Sequence, residues 1–198
     1  MNRLAIGLSA SLLCLCVGAH AATIQYSATL TGPNEDPANT SPGTGFATVL
    51  IDDASNMMTV KASFSGLTAP TTASHIHCCT LVPFEGKAGV ATSLPTFPNF
   101  PLGVTSGSYT ETFDLLNLST YNAGFVTSHG GNVDSARSAF LDGLASGRAY
   151  LNIHTTAFPA GEIRGFLTEV PEPGSIALFG LGAAGLAALR RRRGGDRA

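Results

Sequence analysis

Three histidines and two adjacent cysteines are the residues of this chain whose types and spacing could do chemistry. His75 and His77 stand either side of Ile76, and His154 closes the run Tyr150-Leu-Asn-Ile-His154. On a strand, side chains two apart point the same way, so His75 and His77 share one face, as do Tyr150, Asn152 and His154. If Ile76 and Ile153 face a core, all three imidazoles point outward. Should the two strands be neighbours, they converge as a nitrogen set that zinc or copper accepts. The same residues serve equally as hydrogen-bonded structural histidines that fix a hairpin, and the residue pattern alone favours that plainer use. Cys78 and Cys79 follow immediately. Their Cα atoms are about 3.8 Å apart, against roughly 4.4–6.8 Å for ordinary bridged cysteines, so a mutual bond closes an eight-membered ring. A vicinal disulfide, two thiols, and metal ligation or an intermolecular bridge all remain open.

Other reactive patterns are missing. The chain holds no G-x-S-x-G elbow, no P-loop and no H-E-x-x-H, and the expected function is non-enzymatic. Gly180-Leu-Gly182-Ala-Ala-Gly185 fits G-x-G-x-x-G, but it lies 13 residues from the end with no βαβ unit to follow it. Glu162 and Arg164, two apart, read as an ion pair or hydrogen-bond network across a hairpin. The pairs Glu35-Asp36 and Asp52-Asp53 read as solvated turns. Between Thr23 and Glu169 five cations stand against eleven carboxylates. An acidic domain without a basic patch excludes nucleic acid as a partner.

These residues need a scaffold, and period-two alternation supplies one. Ile24, Tyr26, Ala28 and Leu30 alternate with polar residues, and further strands are expected over 45–51, 57–64, 74–78, 107–115, 149–154 and 162–168. One helix is expected over 133–145, capped by Asn132 or Asp134 and ended near Gly147. Seven short strands and a single short helix predict a mainly β fold, an antiparallel sandwich.

The two ends carry address information. Residues 1–21 have one cation at Arg3, an apolar stretch from Leu4 to Gly18 and Ala19-His20-Ala21, the layout of a secretory signal peptide cut after Ala21 or Ala22. Its removal takes Cys14 and Cys16 with it. Residues 170–198 contain Pro171-Glu172-Pro173, an uncharged run to Leu189, and Arg190–Arg193. As a helix, those 17 uncharged residues span roughly 25 Å, which is short but workable for a transmembrane helix flanked by snorkelling arginines. The arginines belong on the cytoplasmic side, so the tail holds the inner membrane transiently.

This tail resembles the PEP-CTERM sorting signal of Gram-negative bacteria. The resemblance implies processing by an exosortase near Pro171, Glu172 and Pro173, and delivery to the cell surface or an exopolysaccharide matrix, among polysaccharide or other surface proteins as partners. Residues 23–169 resemble the CHRD domain in Ala28-Thr-Leu-Thr-Gly-x-x-Glu35, His75-Ile-His77, Tyr150-Leu-Asn-Ile-His-Thr155 and Gly161-Glu-Ile-Arg-Gly165. That resemblance implies an immunoglobulin-like β-sandwich in an extracellular setting and carries no established catalytic residues or cofactor. It departs at Cys78-Cys79, where glycine-rich sequence is expected. The His-x-His strand is also similar, in part, to that of copper-zinc superoxide dismutases, with His129 as the one remaining histidine that could complete a copper set. This keeps a zinc or copper metalloredox domain on His75, His77 and His154 as the alternative function.

Overall fold

The computed structural model describes residues 23–171, together with Gly182 and Gly185. The expected signal peptide, the transmembrane run, Glu172, Pro173 and the arginine cluster lie outside the described residues. Among the described residues no helix is long and apolar enough to cross a membrane.

Alternation becomes strand wherever one face can be covered. Strands β1 (Thr23–Thr31), β2 (Thr44–Asp52), β3 (Met57–Ser65) and β5 (Gly107–Asp114) bury alternate residues, as Tyr26, Ala28 and Leu30 do on β1. Strands β4 (Thr71–Cys78), β6 (Ala149–Thr155) and β7 (Ile163–Phe166) are covered on both faces over most of their length. A two-residue strand, β8 (Thr168–Glu169), completes the set. All pairing is antiparallel, and one sheet runs β4-β6-β7-β1-β2-β3-β5 with β8 also beside β1. One buried apolar cluster, including Leu30, Val49, Val60, Ile76, Phe97, Leu151 and Ile163, fills the inside of this curled sheet.

The expected two-sheet sandwich is therefore corrected to a single curled sheet. The seam is β7 against β1, where Arg164 pairs with Thr31. Gly165 permits it, because a Cβ there would strike the carbonyl oxygen of Thr29 and stand 3.0 Å from its carbon. Without a side chain at that point the β7 backbone closes on β1 and joins the two halves.

The expected helix is present, the one helix of seven or more residues among those described. Helix α2 (Val133–Ala145) has the anticipated bounds, with the Asn132 side chain accepting from the Ser135 amide, but it is preceded by a six-residue α1 (Ala123–Ser128). AGFVTS is too short to show a 3.6-residue period, and its start signal is a single residue, Asn122, which caps Gly124.

The topology fixes where things sit along the sheet. Glu169 of β8 pairs with Tyr26, and the Val170 amide donates to the Gln25 carbonyl at 2.7 Å, so Val170 comes to the end of β1 at which Thr23 begins it. The row His75, Asn152, Arg164, Thr31 crosses β4, β6, β7 and β1 five residues further along, about 17 Å away at strand rise.

Candidate metal centre

Strands β4 and β6 are neighbours, in a register that sets His75 opposite Asn152, His77 opposite Tyr150 and Ala73 opposite His154. The three imidazoles meet. Ring centroids are 5.2 Å apart for His75 and His154, 5.9 Å for His75 and His77, and 6.2 Å for His77 and His154. One nitrogen from each lies within 4.8 Å of the others, and among the described residues no carboxylate or thiol joins this group.

The face carrying them is opposite the isoleucine core, as the alternation requires, but it does not look out on solvent. His75 is only 5% exposed, and Tyr150 and Asn152 beside it are buried. Residues 89–97 run back along β4, with Cys78 donating to Gly89, Ala91 to Ile76 and Phe97 to Ser74.

A backbone carbonyl beside each ring also decides its protonation. His75 Nε2 lies 2.7 Å from the Pro95 carbonyl, His77 Nδ1 2.9 Å from the Ala88 carbonyl, and His154 Nδ1 2.9 Å from the Pro159 carbonyl. A carbonyl oxygen can only accept, so each of these nitrogens carries the proton. The lone pairs are then on His75 Nδ1, His77 Nε2 and His154 Nε2, and all three are buried without a hydrogen-bond partner. Asn152 Oδ1 is a fourth buried acceptor in the same condition. Unpaired buried acceptors are rare because each one costs about 1–3 kcal/mol. Burial lowers the pKa of all three rings, that of His77 to about 4, so they are neutral at pH 7.

Neutral imidazoles whose far N–H is held by a carbonyl are the form in which histidine ligates metal. Tetrahedral zinc with Zn–N near 2.0–2.1 Å needs nitrogens about 3.3 Å apart, so the rings close by up to about 1.5 Å on a bound ion. Three nitrogens with an adjacent oxygen acceptor fit zinc or copper and do not fit calcium or magnesium. His129 is elsewhere: its Nδ1 bonds the Phe125 carbonyl at 2.9 Å at the end of α1. The copper set of the dismutase comparison is thus missing its fourth imidazole.

Cys78 and Cys79 are bonded to each other, and a Cβ on Gly143 of α2 would run into both sulfurs, so the bridge packs against that helix. Glu162 and Arg164 do not pair. Glu162 is fully buried and accepts from the Ser41, Thr68 and Thr155 hydroxyls and from the Thr68 amide, which together hold its pKa down. Arg164 instead stands 3.8 Å from Glu35, with its guanidinium over the Tyr150 and Phe166 rings.

Glu35 corrects the expectation of a solvated turn at that position; Asp52 is half-buried and Asp53 exposed. Its side chain is 6% exposed and its Oε1 has no partner, so burial pushes its pKa up to about 7 against the opposing pull of Arg164. A carboxyl whose folded pKa exceeds its unfolded value near 4.5 adds stability below pH 4.5, which is lost as pH rises through 7. Denaturant midpoints at pH 5 and pH 8 should show wild type losing on the order of 2 kcal/mol more than Glu35→Gln across that interval. Equal losses in the two proteins would refute the assignment.

A small β-rich domain, built as one curled antiparallel sheet with a three-histidine cluster on its covered face, is the class that fold and site define. Residues 26–167 match the CHRD domain, most of the chain, and the protein belongs to that family. Residues 169–193 match the PEP-CTERM protein-sorting motif, which makes this an exported protein of Gram-negative type that an exosortase processes. No curated protein and no solved structure gives a match. The motif begins inside the sheet, since Glu169 belongs to β8 and Pro171 follows one residue after the Val170 amide bond.

Sequence reasoning missed Asn152, Glu35 as a buried group, and the three carbonyls. Backbone carbonyls leave no trace in residue identity. Asn152 does share a face with His154, and that was the available signal.

Proposed function

We propose that the exported domain binds one transition-metal ion, zinc or copper, on His75, His77 and His154. It works as a non-enzymatic binding protein at the cell surface or in its exopolysaccharide matrix. The observation that carries this reading is the set of three buried, unpartnered imidazole nitrogens, each with its tautomer fixed by a backbone carbonyl. Structural histidines that only fix a hairpin would use both nitrogens or expose one to water. Here the free nitrogens point at one another, an arrangement that costs stability until an ion occupies it. An ion would also add its binding energy to the folded state, which suits a domain delivered outside the cell without a second disulfide.

Elemental analysis of untagged protein from its native host tests the proposal. One equivalent of zinc or copper is expected, and His77→Ala and His154→Ala should each lose it. Substoichiometric metal, or retention in both variants, would overturn it. Superoxide turnover abolished by the same substitutions would instead favour the metalloredox alternative.

Processing is tested separately. Mass spectrometry of surface material should show a mature N-terminus next to Ala22 and loss of the segment beyond Pro173. An intact arginine tail on that material would contradict sorting by this route.

A further inference from the structure

A cleft apart from the histidine cluster lies at the seam, between the turn at 34–36 and the loop at 84–86. It is about 550 Å³, within the range of about 300–1,000 Å³ typical of small-ligand sites. Asn34, Glu35, Asp36, Phe84, Glu85 and Arg164 line it. We propose that this cleft is a saccharide-binding site, taking a neutral sugar unit whose apolar face lies on Phe84 and whose hydroxyls meet Asn34, Asp36 and Glu85.

Phe84 is the first sign of a ligand. It has φ +60°, a conformation that costs a bulky side chain on the order of 1–2 kcal/mol and that glycine adopts freely. Its amide donates to the Gly147 carbonyl at 2.8 Å, and its ring covers Gly147, where a Cβ would collide with it. The ring then meets Phe166 edge to face at 6.2 Å, yet Phe84 remains 55% exposed beside the cleft. Strain of this kind is kept where an exposed group has a use.

The polar lining is the second sign. Asp36 and Glu85 are exposed, and Arg164, with its guanidinium over the Tyr150 and Phe166 rings, lines the cleft beside them. The remaining chemistry selects the ligand class by elimination. A metal ion is disfavoured because the three carboxylates do not converge as the imidazoles do. An anion meets three carboxyl groups. An organic cation meets the Arg164 guanidinium, which stands within 3.8 Å of Glu35. A purely apolar molecule would strand the polar lining. A neutral polyol satisfies the whole wall, since each hydroxyl both donates and accepts.

The proposal rests on delivery of the domain to a surface where saccharide is present, and it stands apart from the metal centre. Tyr150 lies between the two, stacked 4.8 Å from His77 and 4.7 Å from the Arg164 guanidinium.

Isothermal titration of the mature protein, chelator-stripped and zinc-loaded in parallel, tests it with maltotriose, cellotriose and chitotriose, and with spermidine and citrate as charged probes. At least one trisaccharide should bind both forms equally while the charged probes do not bind. Phe84→Gly, which keeps the backbone conformation, and Glu85→Ala, at the exposed rim, should each weaken binding at least tenfold. No trisaccharide binding, spermidine or citrate binding alone, or affinity unchanged in both variants would overturn the proposal. Binding confined to the zinc-loaded form would also overturn it, by placing the sugar on the metal. Absence of zinc uptake with sugar binding intact would reject the metal reading alone.

Discussion

The chelator-stripped mature protein, given free Zn²⁺ at a thousand times its Kd at pH 7.5, is expected to melt roughly 10 °C higher than without it. An ion that binds only the folded state at that excess contributes about 4 kcal/mol, and a domain of this size gains roughly 2–4 °C per kcal/mol. The ligands are in place before the ion arrives. His75 Nδ1, His77 Nε2 and His154 Nε2 are deprotonated, buried and within 4.8 Å of one another. Little conformational entropy is lost on binding, and the unfolded chain offers no comparable site. His154→Ala leaves two nitrogens on one strand and should lower affinity at least a hundredfold, removing the shift.

The stripped variant should itself melt within a few degrees of stripped wild type, because one buried unpaired acceptor has gone along with the ring. That control separates loss of metal from loss of fold.

Acid provides an independent check on the same rings. Burial holds the folded pKa of His77 at about 4 against an ordinary 6.5. A histidine whose folded pKa is depressed contributes stability above pH 6.5 that disappears as pH falls toward 4. The metal-free protein should therefore lose on the order of 3 kcal/mol across that window relative to His77→Phe, which keeps a ring stacked on Tyr150 and has no proton to gain. Urea midpoints at pH 7 and pH 4.5 for both proteins measure it, and parallel losses would show that His77 is not the group responsible.

How much of this the sequence discloses depends on the distance over which each feature is encoded. Alternation in Tyr26, Ala28 and Leu30, or spacing in Ala136, Phe140 and Leu144, is local, and the strands and α2 follow from it within a few residues. The clustering of His75 and His77 with His154 needs one further step, the pairing of β4 with β6, which the residue pattern permits without requiring.

Joining of the halves into a single sheet depends on Gly165 meeting the Thr29 carbonyl across well over a hundred residues of chain, and nothing near Gly165 announces that contact. Glu35 misleads for a related reason. Beside Asp36 in a turn it looks solvated, and only Arg164 and Gly161, brought across from the far end of the chain, cover it; a Cβ on Gly161 would lie 2.5 Å from Oε1. The covered histidine face has the same origin, in a loop whose residues 89–97 return along β4 with no period of their own.

Gly143→Ala should be among the most damaging single-methyl changes in the domain, and its sign should reverse when the cysteines are removed. Alanine in the middle of a helix is ordinarily worth about 1 kcal/mol more than glycine. Gly143 lies inside α2 and is buried, and a Cβ there would stand 2.6 Å from Cys79 Sγ and closer still to Cys78 Sγ. The sulfurs cannot swing aside independently while bonded to each other. Cys78 is held in β4 opposite Ala149, and the α2 backbone is pinned at its start by Asn132 and at its end by Ser146 donating to Asp142. Overpacking of a core usually costs about 1–3 kcal/mol, and contact this close between a helix and a fixed bridge belongs at or above the top of that range. The expected loss is roughly 3 kcal/mol, read as a fall of about 6–12 °C in melting midpoint. In a Cys78→Ala, Cys79→Ala background the sulfurs are gone, and the same Gly143→Ala change should be neutral or stabilise by up to about 1 kcal/mol. The double-mutant cycle therefore carries a coupling of about 3 kcal/mol between a helix position and a pair of cysteines more than sixty residues away in the chain. Equal effects of Gly143→Ala in the two backgrounds would mean that the helix does not pack on the bridge.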